Sequence, residues 1–345
     1  MKLNITDDNA NAPEAEEGEF SFGEVNEQNQ NARGGTELMM EGLHKHVDKE
    51  LLDKFQIIPS RVRKIDDNKP TLYWVHDLPW DPEVQHLGEE GWKKFDKIVY
   101  VSDWQKELYQ LIHQIPASKG VVCKNAIEPF TDTIVKPDPQ ERINIIYHTT
   151  PHRGLELVLP IYDALYNEYG DRLHLDVYSS FSIYGWEQRD EPYKELFNQL
   201  EKHPGVTYHG AKTNEEVRDA LEKAHIFLYP SIWQETSCIA AIEAMAAGCV
   251  VVCPNLAALP ETCANWAFMY NFNEDKQAHA NTAYGAIKNA IQVLGSEEMT
   301  TNLYNQKAYF ELYYNWYLRG KQWTSLLKGI LGEDLDDSTD AEEAA

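Results

Sequence analysis

From about residue 140 onward, short apolar runs alternate with stretches in which apolar residues recur every three or four positions, the pattern of strands alternating with amphipathic helices. INIIYHT (143–149) and LHLDVYSS (173–180) predict strands, and GLELVLPIYDALYNEY (154–169) predicts the helix between them. VTYHG (206–210), the helix NEEVRDALEKA (214–224), IFLYPS (226–231), the helix SCIAAIEAMAA (237–247) and CVVVCPN (249–255) continue the series. Such alternation builds an α/β domain with a parallel, doubly wound sheet, and ligands sit beyond the carboxyl ends of its strands.

The first 140 residues are less regular. TELMMEGLHKHV (36–47) has helical spacing, KFQIIPSRV (54–62) and TLYWVHDL (71–78) read as strands, and KIVYVSDWQKELYQLI (97–112) reads as a strand leading into a helix. VVCKNAIEPF (121–130) closes this half, and VKPDPQER (135–142), with two prolines and several charges, is a candidate linker. An aromatic-rich helical region covers 302–331, and no internal repeat is found.

Composition narrows the class. A chain of 345 residues with 43% hydrophobic content has enough apolar material for two domains, each with its own core. No apolar run approaches the roughly 20 residues that span a bilayer, and the first residues have neither a basic nor an apolar leader segment, so a cytoplasmic protein is expected. The net charge of -25 is concentrated at the ends, with -7 in residues 1–28 and -7 in 332–345, leaving -11 for the rest. Charged ends of this kind are expected to stay solvated, and the acidic balance argues against nucleic acid or anionic lipid as partners. Five cysteines without paired C-x-x-C spacing predict free thiols in a reducing compartment, with Cys249 and Cys253 as small core residues on one strand.

The candidate chemistry lies in SIWQETSCIAAIEAMAAGCVVV (231–252), which sets Glu235 and Glu243 on either side of a helix start. A helix beginning near Ser237, capped by Thr236 or Ser237, places Glu243 about 12 Å along the axis from Glu235. Between them stand the unpaired amides of the first turn, which favour an anion. Acid, anion site, acid suits a nucleoside diphosphate sugar, because an ionised carboxylate only accepts hydrogen bonds and so grips hydroxyls. On spacing alone, the same two residues also read as a loop acid and a solvated helix acid.

Pro230, Ser231, Glu235, Glu243, Ala244, Met245, Ala246 and Gly248 together resemble the donor-site segment of retaining GT-B glycosyltransferases of family 4, also called glycosyltransferase group 1. Where that family has Gly-Phe-Gly after the first Glu, this chain has Thr236-Ser237-Cys238. GGTE (34–37) is similar to the family's Gly-Gly loop, WVHD (74–77) to its strand-end His, and TTPHRGLELVL (149–159) to the segment that supplies cations to the donor diphosphate. VSDWQKE (101–107), KNAIEPF (124–130) and NWYLRGKQW (315–323) resemble the segments that close the first domain and return the chain to it. The initial strand before the Gly-Gly loop has no clear counterpart beyond EFSF (19–22).

The resemblance implies two Rossmann-like domains facing a central cleft, the first of them shortened. It assigns 1–28 to an acidic N-terminus, 29–138 to an acceptor-side domain, 139–310 to a nucleotide-sugar domain, 311–331 to a crossover helix and 332–345 to an acidic tail. It also implies transfer of a hexose from a UDP- or GDP-type donor to an acceptor hydroxyl with retention. Glu243 would hold the ribose, Glu235 would orient the donor sugar, and His76 would line the reacting centre. Arg153, with the backbone around Gly34, Gly35, Thr36, Thr236 and Ser237, would stabilise the departing diphosphate. His148, Arg33, Arg61 and Lys212 are candidates for a second cation. No metal or other cofactor is expected, because cations replace it and Asp7-Asp8 and Asp336-Asp337 lie in the acidic ends. A sugar-nucleotide epimerase and a non-catalytic sugar-nucleotide-binding scaffold stay open as alternatives, while a hydride-transferring enzyme lacks its GxGxxG spacing. Donor base, acceptor and oligomeric state have no signature here.

Overall fold

The computed structural model describes residues 34–131 and 135–333. Arg33, EFSF and nearly all of the two acidic ends lie outside these residues. The described chain divides into two compact units, residues 38–128 with 313–333, and residues 34–37 with 129–312.

Helices α1 (Gly35–His46) and α2 (Lys49–Leu52) precede β1 (Gln56–Pro59), β2 (Thr71–Val75) and β3 (Lys97–Tyr100), which are followed by α3 (Asp103–His113) and β4 (Gly120–Val122). These four strands form a parallel sheet in the order β1-β2-β3-β4. Every residue of β2 is buried, as a strand with a neighbour on each side and a covered layer on each face requires. Ser102 starts α3 by accepting a hydrogen bond from Gln105 N, and the Gln105 side chain donates to the carbonyls of Val75 and Asp77. That pair of bonds fixes the carboxyl end of β2.

The second unit runs β5 (Ile143–Tyr147), α4 (Leu155–Tyr169), β6 (Leu173–Val177), α5 (Lys194–Lys202), β7 (Val206–Tyr208), α6 (Asn214–Leu221), β8 (Ile226–Leu228), α7 (Ile239–Ala246), β9 (Val250–Pro254), α8 (Leu259–Cys263), β10 (Phe268–Tyr270) and α9 (Lys276–Val293). Its six strands are all parallel, in the order β10-β9-β8-β5-β6-β7, so the strand order reverses beside β5. Strands β8 and β9 are buried throughout, and Cys249 and Cys253 are core residues, as expected.

The aromatic-rich segment predicted as one helical region is two helices, α10 (Glu297–Tyr313) and α11 (Trp316–Leu331). Asn315 breaks it: with extended backbone, its side chain caps α11 by accepting from Leu318 N at 2.7 Å. Trp323 of α11 packs edge-on against Trp74 of β2, with ring centroids 4.8 Å apart. The buried Arg319 bonds the carbonyls of Lys124 and Tyr313, at 2.9 and 2.7 Å. On α10 the buried Gln306 donates to the carbonyls of Met245 and Cys249, the two ends of the turn from α7 into β9.

Residues 135–142 are not the free linker their composition suggests. The Lys136 ammonium donates to the carbonyls of Leu221 and Ala224, and His225 Nε2 meets the Pro137 carbonyl at 2.9 Å. The segment is bound to the second unit, and its charge serves carbonyls at the end of α6.

Candidate functional site

At the carboxyl end of β5 the chain turns through Thr150, Pro151, His152 and Arg153 into Gly154, which starts α4 with φ 119°. A Cβ on Gly154 would stand 2.3 Å from the Pro230 carbonyl oxygen, so only glycine lets this turn pack on the loop after β8. The Arg153 carbonyl accepts from Ile232 N at 3.3 Å, which joins the two loops a second time. Within the β8 loop, the Ser231 hydroxyl donates to the Trp233 carbonyl and accepts from Trp233 N. The turn at Pro230 and Ser231 is therefore closed on itself, and it leads to Glu235.

Glu235 is buried, and its Oε1 accepts hydrogen bonds from Arg153 Nη1 and from the Tyr229 hydroxyl. Among the described residues no donor reaches Oε2. Burial disfavours the Arg153 charge, but the Glu235 carboxylate overrides this and raises the guanidinium further above its ordinary range. Only one guanidinium nitrogen is spent on Glu235, and Arg153 Nε is buried without a partner among the described residues. His148 Nε2, Thr150 Oγ1 and His152 Nδ1 are in the same condition on the same short segment. With Thr149 Oγ1 also unpartnered among the described residues, five such atoms stand at one strand end. Since buried polar atoms are normally bonded, they mark a place where something else supplies the partners.

The helix carrying the second acid starts later than predicted. It begins at Ile239, with Cys238 at the cap position, and neither Thr236 nor Ser237 caps it. The Cys238-Ile239 apolar pair and the small alanines after it carry the helix, while Thr236 and Ser237 remain in the loop, half-buried. Glu243 lies on α7 and is buried. Its oxygens accept from Asn214 Nδ2 at 3.1 and 3.2 Å, and Oε1 also accepts from Arg218 Nη1 at 3.2 Å. Burial raises the Glu243 carboxyl, and Arg218 and Asn214 pull in the opposite direction. A carboxylate has about four acceptor positions, so among the described residues three bonds leave one open on Oε2.

The Gly-Gly segment meets this centre. A Cβ on Gly35 would lie 3.1 Å from Ile239 Cδ1 at the start of α7, and one on Gly34 would lie 2.1 Å from the Tyr184 ring. Gly34 precedes α1, and Gly35 and Thr36 are its first two residues rather than a loop before it. Tyr184 belongs to the turn after β6, where His152 stacks on Phe181 with centroids 5.1 Å apart. The structure thus brings Gly34, Gly35, Arg153 and Glu235 into contact with neighbouring loops and the first turn of α7.

His76 belongs to the other unit, at the end of β2 as expected. Its ring lies on Trp74 at 4.8 Å, and burial lowers its pKa to about 3, so it is a neutral imidazole. Burial has the same effect on His148 and His152, also held at about 3. His148 therefore supplies no second cation. Arg61 is 3.9 Å from Glu83 and Lys212 is 3.3 Å from Glu216, so both already face carboxylates.

Sequence reasoning missed Tyr229, Tyr184, Asn214 and Arg218. Asn214 and Arg218 stand four apart on α6 and so share a face, a visible signal that no feature of the chain tied to Glu243 before folding. Tyr229 precedes the Pro-Ser turn, and it reads there as one more core aromatic.

Residues 133–299 match the model of the family Glycosyl transferases group 1. A component of the human phosphatidylinositol N-acetylglucosaminyltransferase is 29% identical over 169 residues, covering 48% of this chain and 33% of that one. The matched part thus spans about a third of that relative. Among solved structures, a glycosyltransferase from Rickettsia africae superposes with a TM-score of 0.63 at 15% identity, over 89% of this chain and 85% of that one. HepE of Anabaena in complex with UDP-glucose gives 0.56 at 14% identity, over 76% and 72%. The fold is that of GT-B glycosyltransferases, with two Rossmann-like units.

Proposed function

We propose that the chain is a retaining glycosyltransferase that moves a hexose from a UDP- or GDP-type sugar to an acceptor hydroxyl. One observation carries the reading: Arg153 spends a single nitrogen on Glu235 and stands among buried polar atoms that lack partners among the described residues, where a diphosphate would supply them. The group 1 match over 133–299 supports the same chemistry.

In this reading the bond from the anomeric carbon to the diphosphate oxygen breaks, and the acceptor oxygen bonds to the same face of that carbon. The acceptor proton passes to the leaving phosphate. Arg153 and the amides following Gly35 and Thr236 hold the charge that develops on the diphosphate, which is the largest stabilisation available here. Glu235 Oε2 accepts from a sugar hydroxyl, while its Oε1 keeps Arg153 aligned. Glu243 Oε2 accepts from the ribose, and His76 acts toward the transferred sugar as a neutral imidazole. Arg153 and the backbone amides take the place of a metal in this scheme. A cytoplasmic setting is part of the proposal, supported by five cysteines that are all free thiols.

Thermal unfolding with UDP, GDP, ADP, CDP and their sugar conjugates tests the donor site. The conjugates include UDP-N-acetylglucosamine, because the human relative's name carries that sugar. A ligand at about 100 times its Kd adds about 2.7 kcal/mol, a clear rise in Tm. The rise is expected with one base and is expected to vanish in Glu243→Ala. Glu235→Gln is expected to keep the rise and to slow hydrolysis of the bound donor by about 100-fold. No rise with any nucleotide overturns the reading.

A binding scaffold is the second reading, favoured by Glu243 already holding Asn214 and Arg218. Nucleotide binding with no turnover of donor across a panel of acceptors decides for it.

A further inference from the structure

Strands inside a parallel sheet are normally covered on both faces and read as continuous apolar runs. Strand β6 breaks that rule although β5 and β7 flank it. Leu173, Leu175 and Val177 are buried on one face, while His174 and Asp176 stand half-buried on the other, and Tyr178 continues that face beyond the strand end. This polar face forms one wall of a cavity of about 450 Å³, and Glu216, Asp219 and Ala220 of α6, with Lys223 and Ala224 after it, form the opposite wall, so two further carboxylates line the cavity beside Asp176. The volume is within the range of small-molecule sites. The Arg153 and Glu235 centre contributes nothing to it.

The groups in the cavity are ordered along the strand. At its amino end, Asn144 of β5 stands in register with His174, and Arg142 and Lys223 flank them. Both cations are exposed, and among the described residues neither has an ion pair, in a chain whose net charge is -25. Two residues further along, about 6.6 Å at strand spacing, lies Asp176. His209 Nε2 and His174 Nε2 both approach its Oδ1, at 2.8 and 3.5 Å, and among the described residues no donor reaches Oδ2. Burial raises the Asp176 carboxyl, but the two imidazoles outweigh this and hold it below the usual range, so it is an ionised acceptor. The His209 ring stacks flat on Tyr178, with centroids 4.2 Å apart, and fixes the far end of the wall.

We propose that this cavity binds a small hydroxyl-rich anion of the sugar phosphate class, with the phosphate between Arg142 and Lys223 and a ring hydroxyl on Asp176 Oδ2. An arginine fork and a lysine suit phosphate oxygens, and a carboxylate oxygen without a donor suits a hydroxyl. A phosphate carried by a hexose spans the separation between the two ends. The site is separate from the proposed donor site, and its ligand acts as an effector or a second substrate.

Calorimetric titration of the full chain with glucose 6-phosphate, glucose and inorganic phosphate tests it. Glucose 6-phosphate is expected to bind more tightly than either fragment and to bind equally with UDP or GDP present. The double variant Arg142→Ser/Lys223→Ser is expected to weaken glucose 6-phosphate at least about tenfold. Asp176→Asn is expected to weaken glucose 6-phosphate while leaving inorganic phosphate unchanged. The proposal fails if glucose 6-phosphate does not bind at millimolar concentration, if the double variant leaves its affinity unchanged, or if nucleotide displaces it. Because Arg142 and Lys223 are exposed, their replacement leaves the fold intact, which the far-ultraviolet circular dichroism of the variant checks.

Discussion

Gly154 decides where Arg153 stands. Its φ of 119° lies where side chains are strained, and the Pro230 carbonyl occupies the space that a Cβ would need. Gly154→Ala is therefore expected to destabilise the chain by about 1 to 3 kcal/mol, read as a fall in Tm. It is also expected to part Arg153 from Glu235, so nucleotide should no longer raise the Tm of the variant. A variant that loses Tm yet keeps the full nucleotide response would show that the close approach serves packing alone. Arg319 makes the opposite point about a conspicuous residue. In the sequence it belongs to a motif that resembles a glycosyltransferase segment, and in the fold it is buried, bonding the carbonyls of Lys124 and Tyr313. Its charge is used to close backbone groups.

At the scale of elements, the strands and helices of the second unit were legible because each carries its own periodicity. The strand predicted over 143–149 is β5 at Ile143–Tyr147, and the helix predicted over 154–169 is α4 at Leu155–Tyr169. Boundaries set by side-chain bonding were less legible. Thr236 and Ser237 have the chemistry of caps, but α7 begins after them at Ile239, because the loop leaving Glu235 is held elsewhere, with the Glu235 carbonyl accepting from Ala258 N at 3.1 Å. Asn315 was hidden in the opposite way, inside an aromatic run that reads as one continuous helix. Asn315→Ala removes the cap of α11 and is expected to cost about 1 kcal/mol, measured as a shift in the denaturant midpoint without a change in slope. The candidate site was legible as residue types and spacing. Its partners were not, since Tyr229 meets Glu235 and Arg218 meets Glu243 only once the loops and α6 have folded.

Across the whole molecule, buried imidazoles set the response to acid, three of them most strongly. His76, His148 and His152 have pKa values lowered to about 3 by burial, from an ordinary 6.5. The unfolded chain binds these protons more readily than the folded one, so the stability they contribute is complete above about pH 6.5 and is lost as the pH falls toward 3. Asp77 opposes this: burial raises its pKa to about 6, with Asp81 adding to the effect, so its proton favours the fold at low pH. Burial also lowers the pKa values of His86, His203, His225 and His279 and raises those of Asp163 and Glu243, so seven imidazoles against three carboxyls predict a net fall in stability below pH 6. Urea midpoints from pH 7 to pH 4 check this, and midpoints that rise on acidification would refute it. Gln306 carries a different kind of consequence. It lies seven residues past the end of the family match at 299, yet it holds the carbonyls of Met245 and Cys249 on either side of the turn below Glu243. A fragment cut at the edge of the family likeness would leave those two carbonyls open, whereas one carried through residue 312 would keep them closed. The limit of the family match and the limit of the compact unit therefore fall at different residues.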